Sequence, residues 1–286
     1  MTTTASPGSR AVVLGGGGLT GIAWEIGVLA GLRDEGIDLR TADALIGTSA
    51  GAFAATYLAF DSIDRHWEDL FAPDSAEITG SMSPESMQAF GQALAEGAGD
   101  PVRTGKALGA LALGAQTVPA QTRAAVVAHR LPYDNWPDAP LKLTAIDADT
   151  GELHVLDRDS GISLVTAATA SGAVPGLWPF VTAGERRWID GGSCSPTNAA
   201  LAAGYDSIVV IAPIPTGLGA LPSPADEVEL LRQNSQVAFV TPDEQTTAAI
   251  GANVFDPAYR GAAGKAGRRQ GRAAADDIRR VWSRLS

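Results

Sequence analysis

Cysteine occurs once in the 286 residues, at Cys194, so the chain can form no internal disulfide, and a single thiol fits a reducing cytoplasm. Histidine occurs three times, at His66, His129 and His154, and no two of them have the spacing of metal ligands. No metal is expected. Positive charge is also short: 21 Lys and Arg against 32 Asp and Glu leave a net charge of −11. That argues against nucleic acid, because phosphate binding needs a clustered positive field. It does not argue against lipid, where contact can be apolar and local. No apolar run reaches the roughly 18 residues read as a membrane span. The opening, Met1 to Arg10, is rich in Thr, Ser, Pro and Gly and lacks the apolar stretch of a secretory leader. The expectation is a cytoplasmic protein with, at most, peripheral membrane contact.

What is present supports a core. Hydrophobic residues make up 45% of the chain and charged residues 19%, which suits a globular α/β protein. After a flexible stretch over 1–9, a single domain is expected over 10–286. Ala11 to Leu14 is a short apolar strand ending in four glycines, and Ile22 to Leu32 has helical spacing that stops near Gly36. Ala44 to Ile46 is a second strand, and Gly51 to Phe60 is apolar nearly all round, as in a helix buried on a sheet. Strand, helix, strand, helix is a parallel α/β unit. Residues 61–140 read as a helical insertion, with starts at Ser83-Pro84 and Asp100-Pro101 and a stop at Gly97. Two roles stay open for it: a lid roofing a pocket, or ordinary helices covering the core.

The sheet resumes at Leu141 to Asp147 and returns through Leu153 to Leu156 as a hairpin. Ser163 to Val174 is a helix, Arg187 to Ile189 leads into Asp190, and Ser207 to Ala212 is a further strand. Pro213 to Pro224 reads as a loop. The end, 257–286, is a helix with Lys265, Arg268, Arg269 and Arg272 on one side. That stripe can touch anionic head groups, but a solvated face pairing Arg272 with Asp276 is the plainer reading.

Three glycine-containing signals carry chemistry. Gly47-Thr48-Ser49-Ala50-Gly51 lies between a strand and a helix, where small neighbours permit a sharp turn that lifts the serine hydroxyl. The serine would also sit at a helix N-terminus, which favours negative charge. Gly15 to Gly18, with Leu19-Thr20-Gly21, follows the first strand, and consecutive glycines let N–H groups converge on an anion. A dinucleotide loop would use Gly16, Gly18 and Gly21, but it expects an acid about 20 residues on at the end of the second strand. Here that strand ends in Gly47-Thr48-Ser49. A Walker loop fails because Ile22, not Lys, follows Gly21. The third signal is Asp190-Gly191-Gly192 at a strand end, which alone would read as an Asp-Gly turn.

A Ser49 nucleophile needs a base. No histidine follows Asp190, whereas α/β-hydrolases run in the order Ser, then Asp or Glu, then His. Forcing that order means choosing an acid such as Asp147, which crowds it and His154 onto one hairpin. Each histidine is expected to be a surface or helix-capping residue.

The ordered set Gly16-Gly17-Gly18-Leu19-Thr20-Gly21, Gly47 through Gly51 and Asp190-Gly191-Gly192 resembles the patatin-like phospholipase family. Ala170-Ser171-Gly172-Ala173-Val174-Pro175 is similar to a further segment of that family, and Pro196 follows soon after. The resemblance runs from residue 10 to about 212. It implies a three-layer α/β/α sandwich with a mainly parallel central sheet, and a Ser49–Asp190 dyad that cleaves acyl esters of lipids without a cofactor. Asp190 would take the serine proton, and the N–H groups of Gly16, Gly17, Gly18 and Ala50 would hold the oxyanion. Two positions depart from the family. Thr20 stands where Arg or Lys is frequent, and Trp178 stands where Phe is common, with an expected narrowing of the acyl pocket. A soluble esterase for short acyl chains and a catalytically silent lipid-binding protein are the alternatives. Chain-length preference separates the first, and covalent labelling by a fluorophosphonate separates the second.

Overall fold

Alternation along the first strand builds the layers. In the computed structural model, which describes residues 8–73 and 76–283, strand β1 (Arg10–Leu14) sends Val12 and Leu14 to one side and Ala11 and Val13 to the other. Both sides are buried, as expected of a strand covered on two faces. Helix α1 (Gly18–Asp34), strand β2 (Ala44–Gly47) and helix α2 (Ala50–Ala59) complete the expected unit, with β1 and β2 parallel. Four helices follow: α3 (Ile63–Asp69), α4 (Pro84–Gly97), α5 (Pro101–Gly114) and α6 (Ala120–Arg130). Ser83 and Asp100 cap α4 and α5, each side chain accepting a hydrogen bond from the backbone three residues on. The sequence signals did not give α6, because Ala-Gln-Thr-Arg-Ala-Ala-Val-Val has only one short apolar pair.

Strands β3 (Leu141–Asp147) and β4 (Leu153–Leu156) form the expected hairpin, and Ser163 caps helix α7 (Leu164–Ser171). Then come β5 (Val181–Ala183), β6 (Arg186–Asp190), β7 (Ser207–Ile211), helix α8 (Pro224–Arg232), β8 (Gln236–Val240), helix α9 (Glu244–Ile250) and helix α10 (Arg260–Trp282). Helix α8 was not foreseen, although Ser223 and Asp226 make a capping box around Pro224. Strand β5, of three residues, is too short to stand out, and β8 was not foreseen.

The sheet runs β5-β6-β3-β2-β1-β7-β8, parallel from β3 to β8, with β4, β5 and β6 antiparallel to their neighbours. Helices cover both faces. Helices α1, α2, α7 and α10 share the cluster of Val12 and Leu45, while α8 packs on the face of Val13 and Ile46. The fold is a mixed α/β sandwich of three layers with a mainly parallel sheet.

Helix α1 is buried all round because α10 lies along it. Glycines set their spacing. A Cβ on Gly27 would sit 2.1 Å from the Gly264 oxygen, and one on Gly267 would sit 2.1 Å from the Trp24 oxygen. Gly31 and Gly271 are as tight, so each backbone rests in the other's groove.

Three expectations need correction. Residues 1–7 lie outside the described residues, but Gly8 and Ser9 are tied down, both N–H groups donating to Asp206 Oδ2 at 2.6 and 3.2 Å. The pair Arg272–Asp276 does not form. Arg272 and Arg268 both grip Asp34 at the end of α1, Arg269 holds Asp243, and Asp276 goes to Arg279. The arginines of the stripe thus stay on the surface but are paired with acids of their own chain. Finally, His66 is not a surface residue: it is buried and stacked on Tyr57 with ring centres 3.5 Å apart. Burial lowers its pKa to about 4.

Candidate active site

The turn between β2 and α2 holds Ser49 in a conformation that side chains avoid, with φ 53° and ψ −112°. Such a residue costs about 1–3 kcal/mol and persists only when its surroundings fix it. Here they do. The Ser49 N–H donates to Ser171 Oγ at 2.9 Å, and the Ser49 carbonyl accepts from Ala52 N at 3.1 Å. The flanking glycines allow the approach. A Cβ on Gly51 would lie 1.9 Å from the Leu14 oxygen, and one on Gly47 would lie 2.6 Å from the Gly51 oxygen. The pattern therefore needs glycine at both ends for space.

Asp190 reaches this turn through the sheet. Leu143 pairs with Gly47 and Leu156, and Ala145 with His154 and Asp190, so β2 and β6 lie along the same edge of β3. Strand β2 stops at the level of Leu143, and β6 arrives antiparallel against Ala145, just beyond it. Asp190 thus ends up in front of the residues that leave β2. Its Oδ2 accepts a hydrogen bond from Ser49 Oγ at 2.7 Å, and its Oδ1 accepts from Gly192 N at 2.6 Å. The carboxyl is 4% exposed. Burial pushes its pKa up to about 7, against the lowering effects of the Ser49 hydroxyl, the Gly192 N–H and the charge of Arg123.

A buried polar network holds these two strand ends together. Asn198 Nδ2 donates to Gly191 O at 2.9 Å and to Thr48 Oγ1 at 3.1 Å, and Thr144 Oγ1 donates to Thr48 Oγ1 at 2.9 Å. A Cβ on Gly191 would lie 2.2 Å from Thr144 Oγ1, so this glycine is required for close packing. Sequence reasoning did not single out Thr144, Ser171 or Asn198 for a role. Ser171 lay within a segment already noted, whereas Asn198 has no local signal.

The glycine loop divides into two parts. Gly16 does not offer its N–H to the cleft, because that group donates to Pro196 O at 2.7 Å. The N–H groups of Gly17, Gly18 and Ala50 make no hydrogen bond to another described residue. Gly18 has φ +64°, and a Cβ there would meet the Val254 oxygen at 2.7 Å. Gly17 has an ordinary extended φ of 176°, so its need for glycine is spatial: a Cβ would meet Pro213 Cβ at 2.4 Å. Thr20 is buried, and its Oγ1 donates to Val254 O at 3.3 Å.

Two cavities open on Ser49. A largely apolar cleft of about 190 Å³ is lined by Gly17, Gly18 and Asp190 together with Phe90, Val174 and Leu218. A smaller space of about 20 Å³ lies between Ser49, Ala50, Phe53, Arg123 and Trp178. Trp178 thus borders the small space. Neither cavity is lined by a histidine. Among the described residues no three His, Cys, Asp or Glu side chains are grouped to hold a metal ion, and no helix is long and apolar enough to cross a membrane.

A family model described as patatin-like phospholipase matches residues 12–203. Among solved structures the chain is similar to VipD from Legionella pneumophila, with 15% identity, a TM-score of 0.46, and coverage of 96% of this chain and 68% of that one. It is also similar to the type III effector protein ExoU, with 16% identity, a TM-score of 0.42, and coverage of 96% of this chain and 54% of that one. The chain therefore spans about half the length of ExoU. No curated protein matches its sequence.

Proposed function

We propose, since the chain belongs to the patatin-like phospholipase family, that it is a serine hydrolase cleaving acyl esters of lipids. Ser49 Oγ attacks the acyl carbonyl while its proton passes to Asp190 Oδ2. The oxyanion is held by the N–H groups of Gly17, Gly18 and Ala50. Collapse of the tetrahedral intermediate breaks the ester C–O bond, and Asp190 returns the proton to the leaving alcohol. Water then attacks the acyl-serine, giving its proton to Asp190 and its oxygen to the fatty acid, and the proton goes back to Ser49. The observation that carries this reading is the 2.7 Å hydrogen bond from Ser49 Oγ to a buried aspartate. A carboxyl poised near neutrality can both take and return a proton at physiological pH. The apolar cleft beside Ser49 suits an acyl chain better than a polar substrate.

The test is covalent labelling together with turnover. A fluorophosphonate should label Ser49, and Ser49→Ala should abolish labelling and lower ester hydrolysis by roughly 10⁴-fold or more with the fold intact. Labelling at another residue, or activity within about tenfold of the parent, would refute the assignment.

A further inference from the structure

Two buried donors beside Ser49 have no acceptor, and the side chains that carry them line the small cavity. Arg123, on α6, is 5% exposed, and its Nη1 has no hydrogen-bond partner. Trp178 is 3% exposed, and its Nε1 is likewise unpartnered. The side chains touch, with Arg123 Cζ 4.2 Å from the centre of the Trp178 ring. Together with Ser49 and Ala50 they line the space of about 20 Å³. Buried polar groups are nearly always hydrogen-bonded, and an orphaned pair in one cavity calls for an acceptor.

Charge makes the case sharper. Arg123 forms no ion pair among the described residues. The acids that could serve it are engaged elsewhere. Glu77 clamps Arg130 through two bonds, one from Nε at 2.7 Å, and Asp190 serves Ser49 and Gly192. Burial lowers the Arg123 pKa to about 9, which still leaves a cation at neutral pH. A cation–π contact offsets only part of the loss of water.

The geometry points to a recognition site for a phosphate group that the substrate carries a few bonds from its scissile ester, with Arg123 and Trp178 as the residues that select it. One phosphate oxygen enters the cavity, whose volume is close to that of a single water. The rest of the group stays at the mouth, and the acyl chain lies in the neighbouring apolar cleft, which also opens on Ser49. The inference rests on the ester-hydrolase reading above and adds a direction: phosphate toward α6, acyl chain toward Phe90. A neutral glyceride offers only a hydroxyl at the same place.

Lysophosphatidic acid and the monoacylglycerol of the same chain length differ by the phosphate alone. Supplied as monomers to the full-length protein, the phosphate ester should have a kcat/KM about 30-fold higher. Arg123→Gln should erase that preference, bringing the ratio of the two kcat/KM values to about one. Trp178→Phe keeps a ring and deletes the donor, and should cut the preference about fivefold; it carries the test if Arg123→Gln does not fold. A parent enzyme without preference overturns the inference while leaving the hydrolase reading in place. So does an equal loss on both esters, which would assign Arg123 to the fold or to Asp190.

A second arm needs no turnover. Ser49→Ala protein titrated with the two lipids, followed by tryptophan fluorescence, should bind the phosphate lipid more tightly and lose that advantage when Arg123→Gln is added. That result upholds the site even where hydrolysis is absent, and binding indifferent to Arg123 overturns it. Inorganic phosphate separates the two sources of the group. If phosphate alone binds in an Arg123-dependent way while the two esters are cleaved alike, the cavity takes a free anion and the substrate assignment falls.

Discussion

The two walls of the cleft are made of different material. On the side of β1, α1 and α2 the wall is backbone: the N–H groups of Gly17, Gly18 and Ala50 and the strained turn at Ser49. At Gly17, Gly18, Gly47 and Gly51 even a methyl group would strike a neighbour at less than van der Waals distance. On the side of α4 and α6 the wall is side chain, with Phe90 beside the apolar cleft and Arg123 beside the small cavity. On the mechanism proposed above, the first wall would act on what every ester shares, a carbonyl that becomes an oxyanion, and the second would touch what differs between esters. Chemistry and selectivity should then be separable, and four variants break or sharpen that division.

The largest effect belongs to Asp190→Asn. It should lower kcat by about 10⁴-fold, because an amide of nearly the same size cannot accept the proton. The same variant should be more stable. A carboxyl whose pKa is raised by folding to about 7 binds its proton more tightly folded than unfolded. Its stabilising contribution is therefore complete at low pH and lost as pH climbs from about 4 toward 7. Above that range Asp190→Asn should raise stability by on the order of 2–4 kcal/mol, read as a higher Tm at pH 8. In the parent enzyme kcat/KM should fall about tenfold per pH unit below about 7, since the protonated carboxyl is no base. An inactive variant with a lowered Tm, or a flat pH profile, would contradict this account of the site.

Gly17→Ala comes next. Its methyl would meet Pro213 Cβ at 2.4 Å, so the loop must shift and its donors with it. We expect kcat to drop by roughly 100–1,000-fold with KM within about threefold. Unchanged kcat would mean that the loop only packs. The side-chain wall should respond differently. Phe90→Ala should reduce kcat/KM about tenfold for long acyl chains and leave short esters nearly unaffected, because only a long chain loses the contact. Equal loss on both would erase the distinction between the walls.

The smallest effect on activity should come from His66→Gln, His129→Gln and His154→Gln combined. Hydrolysis should stay within about threefold, while Tm falls by several degrees, since His66 is buried against Tyr57. A folded but dead triple variant beside an active Asp190→Asn would move the base to a histidine.

The backbone wall was legible in the sequence because close approach leaves only one residue type, and glycine announces itself. Gly47, Gly51 and Gly191 were noted for that reason, and so was the strand–turn–helix setting of Ser49. What the pattern could not give was the destination of a particular N–H. Gly16 was assigned to the oxyanion, yet its partner is Pro196, far away in the chain. The side-chain wall was nearly invisible. Arg123 lies in an alanine-rich stretch that resembles a solvated helix, and only the packing of α6 makes it a buried cation. The arginines of α10 misled in the opposite sense, because their partner Asp34 belongs to the first helix. Local rules assigned Arg272 to Asp276, and tertiary contact overrode them.

The glycine interlock of α1 with α10 has a consequence in time. A chain made from its amino terminus exposes the nucleophile turn and the glycine loop long before α10 leaves the ribosome. Until then α1 has no cover along its outer face, and Thr20 lacks the Val254 carbonyl to which its N–H and hydroxyl donate. On the proposed mechanism the nucleophile and the oxyanion donors lie in the first quarter of the sequence, while Asp190 and the packing that closes over α1 come later. The first helix is thus completed only by a segment made after every strand of the sheet.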